Sequence, residues 1–306
     1  MSKILEYKEQ IDKLENELAN LDPNSNEFKN LEEELEKIKE EAKNNVTNWD
    51  KVTIARSLER LKSKTLIDEL FSDFVELHGD QYYSDDQSII SGIAYLKDMP
   101  VTVLAQAKGR DIQESIKRNF GMTSPEGFRK TLRLAKQAEK FHRPIITIVD
   151  TSGAYPGKGA EERGQSRAIA QNLLEFSKLK TPVISIILSE GGSGGALALT
   201  IGDYIYMFEN AVYSVLSPEG LATILFKGNK TAEDAANVMK LTAEDLVEYN
   251  IVDEIIKEPY GGIKKLDETF VNNLKDTLYN KLQELKKKDL DTLLDDRYAK
   301  FRKVGI

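Results

Sequence analysis

Ile4, Tyr7, Ile11, Leu14, Leu18 and Leu21 recur at alternating steps of three and four residues with charged side chains between them, the spacing that lines one face of an α-helix with apolar groups. Asp22-Pro23 interrupts the pattern, and Phe28, Leu31, Leu35, Ile38 and Ala42 then repeat it. Two antiparallel helices joined by a short polar turn are therefore predicted. The polar run Asn44 to Asp50 closes this hairpin, so residues 1–48 are expected to form an N-terminal helical arm and residues 49–306 the main domain. Short helices with charged outer faces suit packing on the domain or on a partner rather than chemistry.

Beyond the arm the period changes. Short β-branched runs, Val101 to Ala107, Ile145 to Val149, Val183 to Leu188 and Tyr204 to Phe208, alternate with helical stretches such as Pro125 to Phe141 and Glu161 to Leu179. That rhythm predicts an α/β fold of parallel strands with crossover helices. Ser124-Pro125 and Ser217-Pro218 supply helix starts, a capping residue followed by proline in the first turn, and Thr242 with Asp245 matches a capping box. Leu266 to Lys288 reads as one long surface helix followed by a charged tail, with Lys286-Lys287-Lys288 as a solvated face. No repeat of solenoid period is present.

Composition narrows the chemistry. The 306 residues are 40% hydrophobic and 31% charged, enough to bury a substantial core, and no apolar run approaches a membrane span. Met1 to Gln10 lacks the pattern of a signal peptide, so a cytoplasmic protein is expected. A net charge of −8 argues against a nucleic-acid partner. The chain has no cysteine, which removes thiolate nucleophiles, disulfides and Cys-based zinc sites, and its imidazoles are His78 and His142 alone.

Two glycine-rich turns each follow a predicted strand and precede a predicted helix, where α/β proteins place chemistry. One runs Asp150-Thr151-Ser152-Gly153-Ala154-Tyr155-Pro156-Gly157-Lys158-Gly159 and the other Glu190-Gly191-Gly192-Ser193-Gly194-Gly195-Ala196. Consecutive glycines bring unshielded N–H groups against a ligand, and a helix starting there adds the positive end of its dipole, so such turns can stabilise an anion. The first turn is one residue short of a phosphate loop and has Gly159 where Ser or Thr should stand. In the second, Leu197 spoils a dinucleotide fingerprint. Gly191 to Gly195 satisfies the nucleophile-elbow pattern around Ser193, but both histidines precede the serine, whereas the triad order of that fold needs one after it. What remains is a site of backbone amides suited to enolate or ureido chemistry, with no side-chain base or nucleophile.

Phe74 to Asp80, Arg118 to Met122, Pro125-Glu126-Gly127, Asp150 to Gly157, Gly159 to Gln165, Glu190 to Leu197 and Ser214 to Gly220 together resemble the carboxyltransferase alpha subunits of bacterial acetyl-CoA carboxylases, in order from about Thr65 to Tyr260. The resemblance implies a crotonase-like (ClpP/crotonase) spiral of ββα units and an active site shared with a separate beta subunit in an α2β2 assembly. It implies carboxybiotin, delivered on the biotin carboxyl carrier protein, as one substrate and acetyl-CoA as the other, with malonyl-CoA as product in the first committed step of fatty acid synthesis. Biotin carboxylase would belong to the larger complex, zinc only to the beta subunit, and no metal to this chain. Carried over, the oxyanion positions fall on Gly194, Gly195 and Ala196, with Gly153 and Ala154 on the facing turn. Gly191, Gly192, Tyr155 and Gly157 would lie on the carboxybiotin side. Ser152 stands where the family usually has proline, and Ile263 follows Gly261-Gly262 where a small residue and then histidine are common. Two other classes bear weighing: a crotonase-fold hydratase using Glu161, Glu162 or Glu190 as acids, and a non-catalytic scaffold, which would not need the glycine turns.

Overall fold

A computed structural model of the chain describes residues 3–304. The side chain of Ile4, first in the apolar stripe, and residues 1, 2, 305 and 306 lie outside the described residues. The predicted hairpin is α1 (Lys3–Leu18) and α2 (Asn26–Asn44). Ser25 caps α2 by accepting from the Phe28 amide at 3.0 Å. Ile11 and Leu14 bury themselves against Leu35 and Ala42, flanked by Tyr7, Leu18, Leu31, Ile38 and Tyr260. The first helix stops at Leu18 rather than Leu21, where Asn20 turns back to donate to the Asn16 carbonyl at 2.7 Å. The polar run Asn44 to Asp50 is not open linker: Thr47 and Asp50 form a reciprocal capping box that starts α3 (Asn48–Arg56), and α4 (Ser63–Leu70) follows.

Eight strands make one mixed sheet: β1 (Ser72–Glu76), β2 (Ile89–Leu96), β3 (Met99–Gln106), β4 (Ile145–Thr151), β5 (Val183–Gly192), β6 (Tyr204–Phe208), β7 (Val212–Ser214) and β8 (Glu254–Ile256). The order is β1-β2-β3-β4-β5-β6-β8, with β7 paired to the far end of β5. The first two pairings are antiparallel and the rest parallel. The predicted parallel rhythm therefore covers β3 to β6, while β1 and β2 add an antiparallel flank and β7 and β8 are three-residue pieces too short to leave a period. Strand β4 is buried at every position, as a parallel strand covered on both faces must be.

The connections are α5 (Ile112–Lys117), α6 (Pro125–Lys140), α7 (Lys158–Glu162), α8 (Gln165–Phe176), α9 (Ser193–Leu197), α10 (Pro218–Phe226), α11 (Ala232–Val238) and α12 (Ala243–Glu248). All three predicted helix starts are present, although the Ser124 side chain makes no capping bond. The stretch read as one helix over Glu161 to Leu179 is two, because Gly164 takes a left-handed φ of +83° between α7 and α8. Among the described residues no helix is long and apolar enough to cross a membrane.

At the chain's end α13 (Glu268–Lys286) buries Val271, Leu274, Leu278, Leu282 and Leu285, so it is half core rather than a surface helix. The expected charged tail is instead a helix, α14 (Leu290–Arg302), anchored by a guanidinium. Arg297 is 1% exposed. It donates to both Asp203 oxygens at 2.8 Å and to the carbonyls of Phe176, Leu179 and Thr181 at 2.8–3.0 Å, so all five of its N–H groups are satisfied. The charge density that suggests a tail conceals one buried residue whose partners lie about a hundred positions away.

Arg297→Met leaves Asp203 buried without its cation, and breaking a buried pair in this way typically costs about 3–5 kcal/mol. Urea denaturation of the variant should show a loss of that size. A change within experimental error would mean that α14 does not clamp the sheet.

Candidate active site

β4 and β5 are parallel neighbours, with Thr151 in register with Gly191, so their glycine turns leave the same edge of the sheet side by side. The two turns abut backbone to backbone. A Cβ on Gly192 would stand 2.1 Å from the Ser152 carbonyl oxygen, and one on Gly195 would stand 2.5 Å from the Ala154 nitrogen. These glycines are thus required first by the approach of the loops to one another, rather than by a ligand as the sequence suggested. Gly191 is similar, since its Cβ would meet the Tyr213 ring at 2.8 Å, and a Cβ on Gly157 would strike Tyr155. Gly194 differs: its nearest neighbour would be Ile169 at 3.5 Å, ordinary contact.

The first turn is fastened from beneath. Gln165 donates to the carbonyls of Thr123 and Tyr155 at 2.8 and 2.9 Å, and the Tyr155 amide donates to the Thr123 carbonyl at 2.9 Å. The amide of Gly153 is already committed to the Thr151 hydroxyl at 3.1 Å. In the second turn Gln106 donates to the Gly195 carbonyl at 2.7 Å, fixing the peptide plane at the start of α9. The amides of Ala154, Gly194 and Gly195 meet no acceptor among the described residues. Gly195 and Ala196 are buried, whereas Ala154 and Gly194 are partly open to solvent. The five sequence-predicted oxyanion positions therefore come together, but they are not equivalent.

Each turn has a carboxylate at its root, and one lysine holds both. Lys108, just past β3, pairs with Glu190 and lies 3.2 Å from Asp150. Glu190 also accepts from Arg56 at 2.8 Å, and Arg56 reaches on to Glu219 at 2.6 Å. Burial works against the charged ammonium of Lys108, but Asp150 and Glu190 outweigh it and hold its pKa above the ordinary lysine value. Burial would raise Glu190 as well, yet Lys108 and Arg56 pull it below the usual carboxylate range. Lys62 nearby is pushed down by burial, against the pull of Asp150. Arg56, Gln106, Lys108, Thr123 and Gln165 escaped the sequence reading. The one signal that could have found Lys108 is its place immediately beyond a strand end, on the same sheet edge as the turns.

This geometry disposes of the competing chemistries. Glu190 is ionised and doubly paired, so it holds no proton to donate, and Glu161 and Glu162 point to solvent. Ser193 does take the positive φ, +51°, of a nucleophile elbow, but no imidazole attends it. His142 sits at the entry end of β4, a strand length of about 20 Å from the turns at its exit, and His78 is tied to Asp85 at 3.1 Å. Ile263, where the family commonly has a small residue ahead of a histidine, is a buried core residue. No group of three or more His, Asp or Glu among the described residues is arranged to hold a metal.

A mixed sheet with glycine turns at the exits of adjacent parallel strands is a crotonase-like α/β fold, which solved carboxyltransferases share. The chain superimposes on transcarboxylase 12S with a TM-score of 0.61 at 18% identity, over 75% of this chain and 42% of that one. It does so on the geranyl-CoA carboxylase beta subunit of P. aeruginosa with a TM-score of 0.58 at 13% identity, over 76% and 43%. The chain belongs to the acetyl co-enzyme A carboxylase carboxyltransferase-like family, whose model matches residues 1–305. It is 56% identical over 257 residues to the acetyl-coenzyme A carboxylase carboxyl transferase subunit alpha of Clostridium botulinum (strain Eklund 17B / Type B), covering 84% of this chain and 94% of the relative. It is also 54% identical over 271 residues to the fused beta/alpha subunits of Natranaerobius thermophilus, covering 89% of this chain and 45% of that longer protein.

Lys108→Met strips both buried carboxylates of their shared cation. In the parent chain the depressed Glu190 contributes stability that is present above the unfolded carboxylate pKa and lost as pH falls through the lower folded value. In the variant Arg56 alone is left to oppose burial at Glu190, so the acid limb of the stability profile should move to higher pH. Denaturation midpoints across the acid range test this, and superimposable profiles would remove Lys108 from its central role.

Proposed function

We propose that this chain is the alpha half of an acetyl-CoA carboxylase carboxyltransferase, moving a carboxyl group from carboxybiotin to acetyl-CoA to give malonyl-CoA for fatty acid synthesis. The observation that supports this reading best is the convergence of unpaired amides at Ala154, Gly194 and Gly195, away from any imidazole. Carboxybiotin, brought by a carrier protein, releases its carboxyl group as carbon dioxide and leaves a basic biotin enolate. That enolate takes a proton from the acetyl methyl, so no side chain has to act as base. The acetyl-CoA enolate then adds to carbon dioxide. On this reading the amides of Ala154 and of residues 194–196 donate to the biotin oxyanion, Gly153 holds the turn that carries Ala154, and Gly191, Gly192, Tyr155 and Gly157 shape that side of the pocket. A fixed N–H lowers the barrier most where charge develops.

The second oxyanion hole and the thioester site are assigned to a beta subunit in an α2β2 assembly, which would also hold the zinc. Fusion of beta and alpha in the Natranaerobius thermophilus relative supports that partner. So do four exposed apolar side chains on α9, α10 and the segment after β7: Leu197, Val215, Ile224 and Leu225. Biotin carboxylase completes the complex, in the cytoplasm. Residues 1–48 act as an assembly arm distinct from 49–306, a division supported by the small apolar cluster between its two helices, which only Tyr260 of the domain joins among the described residues.

The alpha chain alone should show little or no carboxyltransferase activity, and adding purified beta subunit should restore it; full turnover by alpha alone would refute the shared site. In that complex Gly195→Ala forces the loops apart and should lower the rate on the order of 10²–10³, the typical cost of a lost oxyanion donor. Gly194→Ala has room for its methyl group and keeps its amide, so it should stay within about tenfold of the parent. Equal rates for the two variants would sink the assignment.

A further inference from the structure

Beyond the first glycine turn, α6, the α7–α8 junction and the loop after β1 line an open cleft of about 780 Å³. Five cationic side chains line it, Arg129, Arg133, Lys136, Arg163 and Arg167, against two carboxylates, Asp80 and Glu162. Most of this charge is neutralised within the chain. Arg129 pairs with Asp80 at 2.8 Å and shares Glu126 with Arg163, at 3.0 and 2.7 Å. Asp80 is saturated, since its other oxygen accepts from the amides of Tyr82, Tyr83 and Ser84. Lys136 has Glu175 at 2.8 Å, and Glu162 has Lys158 at 3.5 Å.

Two guanidinium groups are left over. Arg133 donates only to the main-chain carbonyls of His78 and Gly79, at 2.9–3.2 Å, through Nε and one Nη. Arg167 has no hydrogen bond or ion pair among the described residues. A chain of net charge −8 thus concentrates two uncompensated positive charges in one concavity. Planar guanidinium forks recognise tetrahedral oxyanions bidentately, and two of them match the two charges of a phosphate monoester. The volume falls within the range that encloses ligands of nucleotide size. Tyr82, whose side chain is 86% exposed, stands in the cavity lining as a stacking surface.

We propose that this cavity is a binding site for a small phosphate monoester, held by Arg133 and Arg167 and independent of the carboxyltransferase turns. The test is calorimetric titration of the full chain with AMP, ribose 5-phosphate and adenosine. AMP and ribose 5-phosphate should bind saturably with one site, and adenosine should not. Arg167→Glu, which breaks no bond within the chain, should weaken both phosphates by at least about tenfold, the equivalent of one charge-assisted hydrogen bond. Lys287→Glu, at the exposed end of α13, alters net charge equally and should change neither. If the base stacks on Tyr82, AMP binds more tightly than ribose 5-phosphate and Tyr82→Ala removes the difference; equal affinities assign recognition to the phosphate alone. Failure of both phosphates to saturate at millimolar concentration, or equal weakening by Arg167→Glu and Lys287→Glu, would overturn the site. None of these readouts involves carboxyl transfer, so the result stands apart from the function proposed above.

Discussion

Lys108 sits where three strands of the sheet end, and its ammonium joins the carboxylates that begin both glycine turns. Two buried carboxylates this close would repel each other; one shared cation turns that repulsion into a clasp. Because Asp150 and Glu190 are the residues before the turns, the clasp sets the spacing of β4 and β5 at their exits and so the contact between the loops above. Arg56 extends the same network from Glu190 to Glu219 at the start of α10. The helices that frame the site are therefore joined electrostatically to its floor. Such a pair adds little stability by itself, since desolvation offsets its attraction. What it supplies is a single arrangement of the turns.

On that floor the glycines do a different task from the one their composition suggests. Gly192 and Gly195 let one backbone lie against another at distances no side chain would permit. Contact between the loops then presents their amides jointly, as a surface of fixed dipoles. Gln106 and Gln165 act as internal struts, using side-chain amides on backbone carbonyls to set peptide planes that no helix or strand would otherwise fix.

How much of this was legible in the sequence depends on the range of the signal. The hairpin, the strands β3 to β6, the capping box of Thr242 and Asp245 and the glycine turns are local patterns, and they were readable from spacing and turn chemistry. The two-residue connection around Lys97 and Asp98, the three-residue strands β7 and β8 and the break at Gly164 were too short to register a period. Arg297 was invisible for another reason. It is a charged residue in a charged stretch, and nothing local distinguishes a buried cation from a solvated one until its carboxylate arrives from elsewhere in the chain; Lys108 carried only the faint signal of its place past a strand end. The candidate amides lie close together, but their inequality, with Gly153 engaged by Thr151 and Gly195 beneath Ala154, exists only in three dimensions.

The absence of an imidazole or thiol near the turns changes what the fold must accomplish. An enzyme that relies on a side-chain acid or base tunes a pKa by burial and neighbours. A site of backbone amides has no pKa to tune, so its performance rests on how rigidly the donors are held relative to the oxygen they meet. The buried polar residues around the turns fit that requirement. Lys108 and Glu190 are held in their charged forms by each other, while Gln106, Thr123 and Gln165 contribute hydrogen bonds to main chain or to one another. The chemistry that needs a base is then left to the reacting molecules themselves, and a carboxybiotin-derived enolate is a base of that kind.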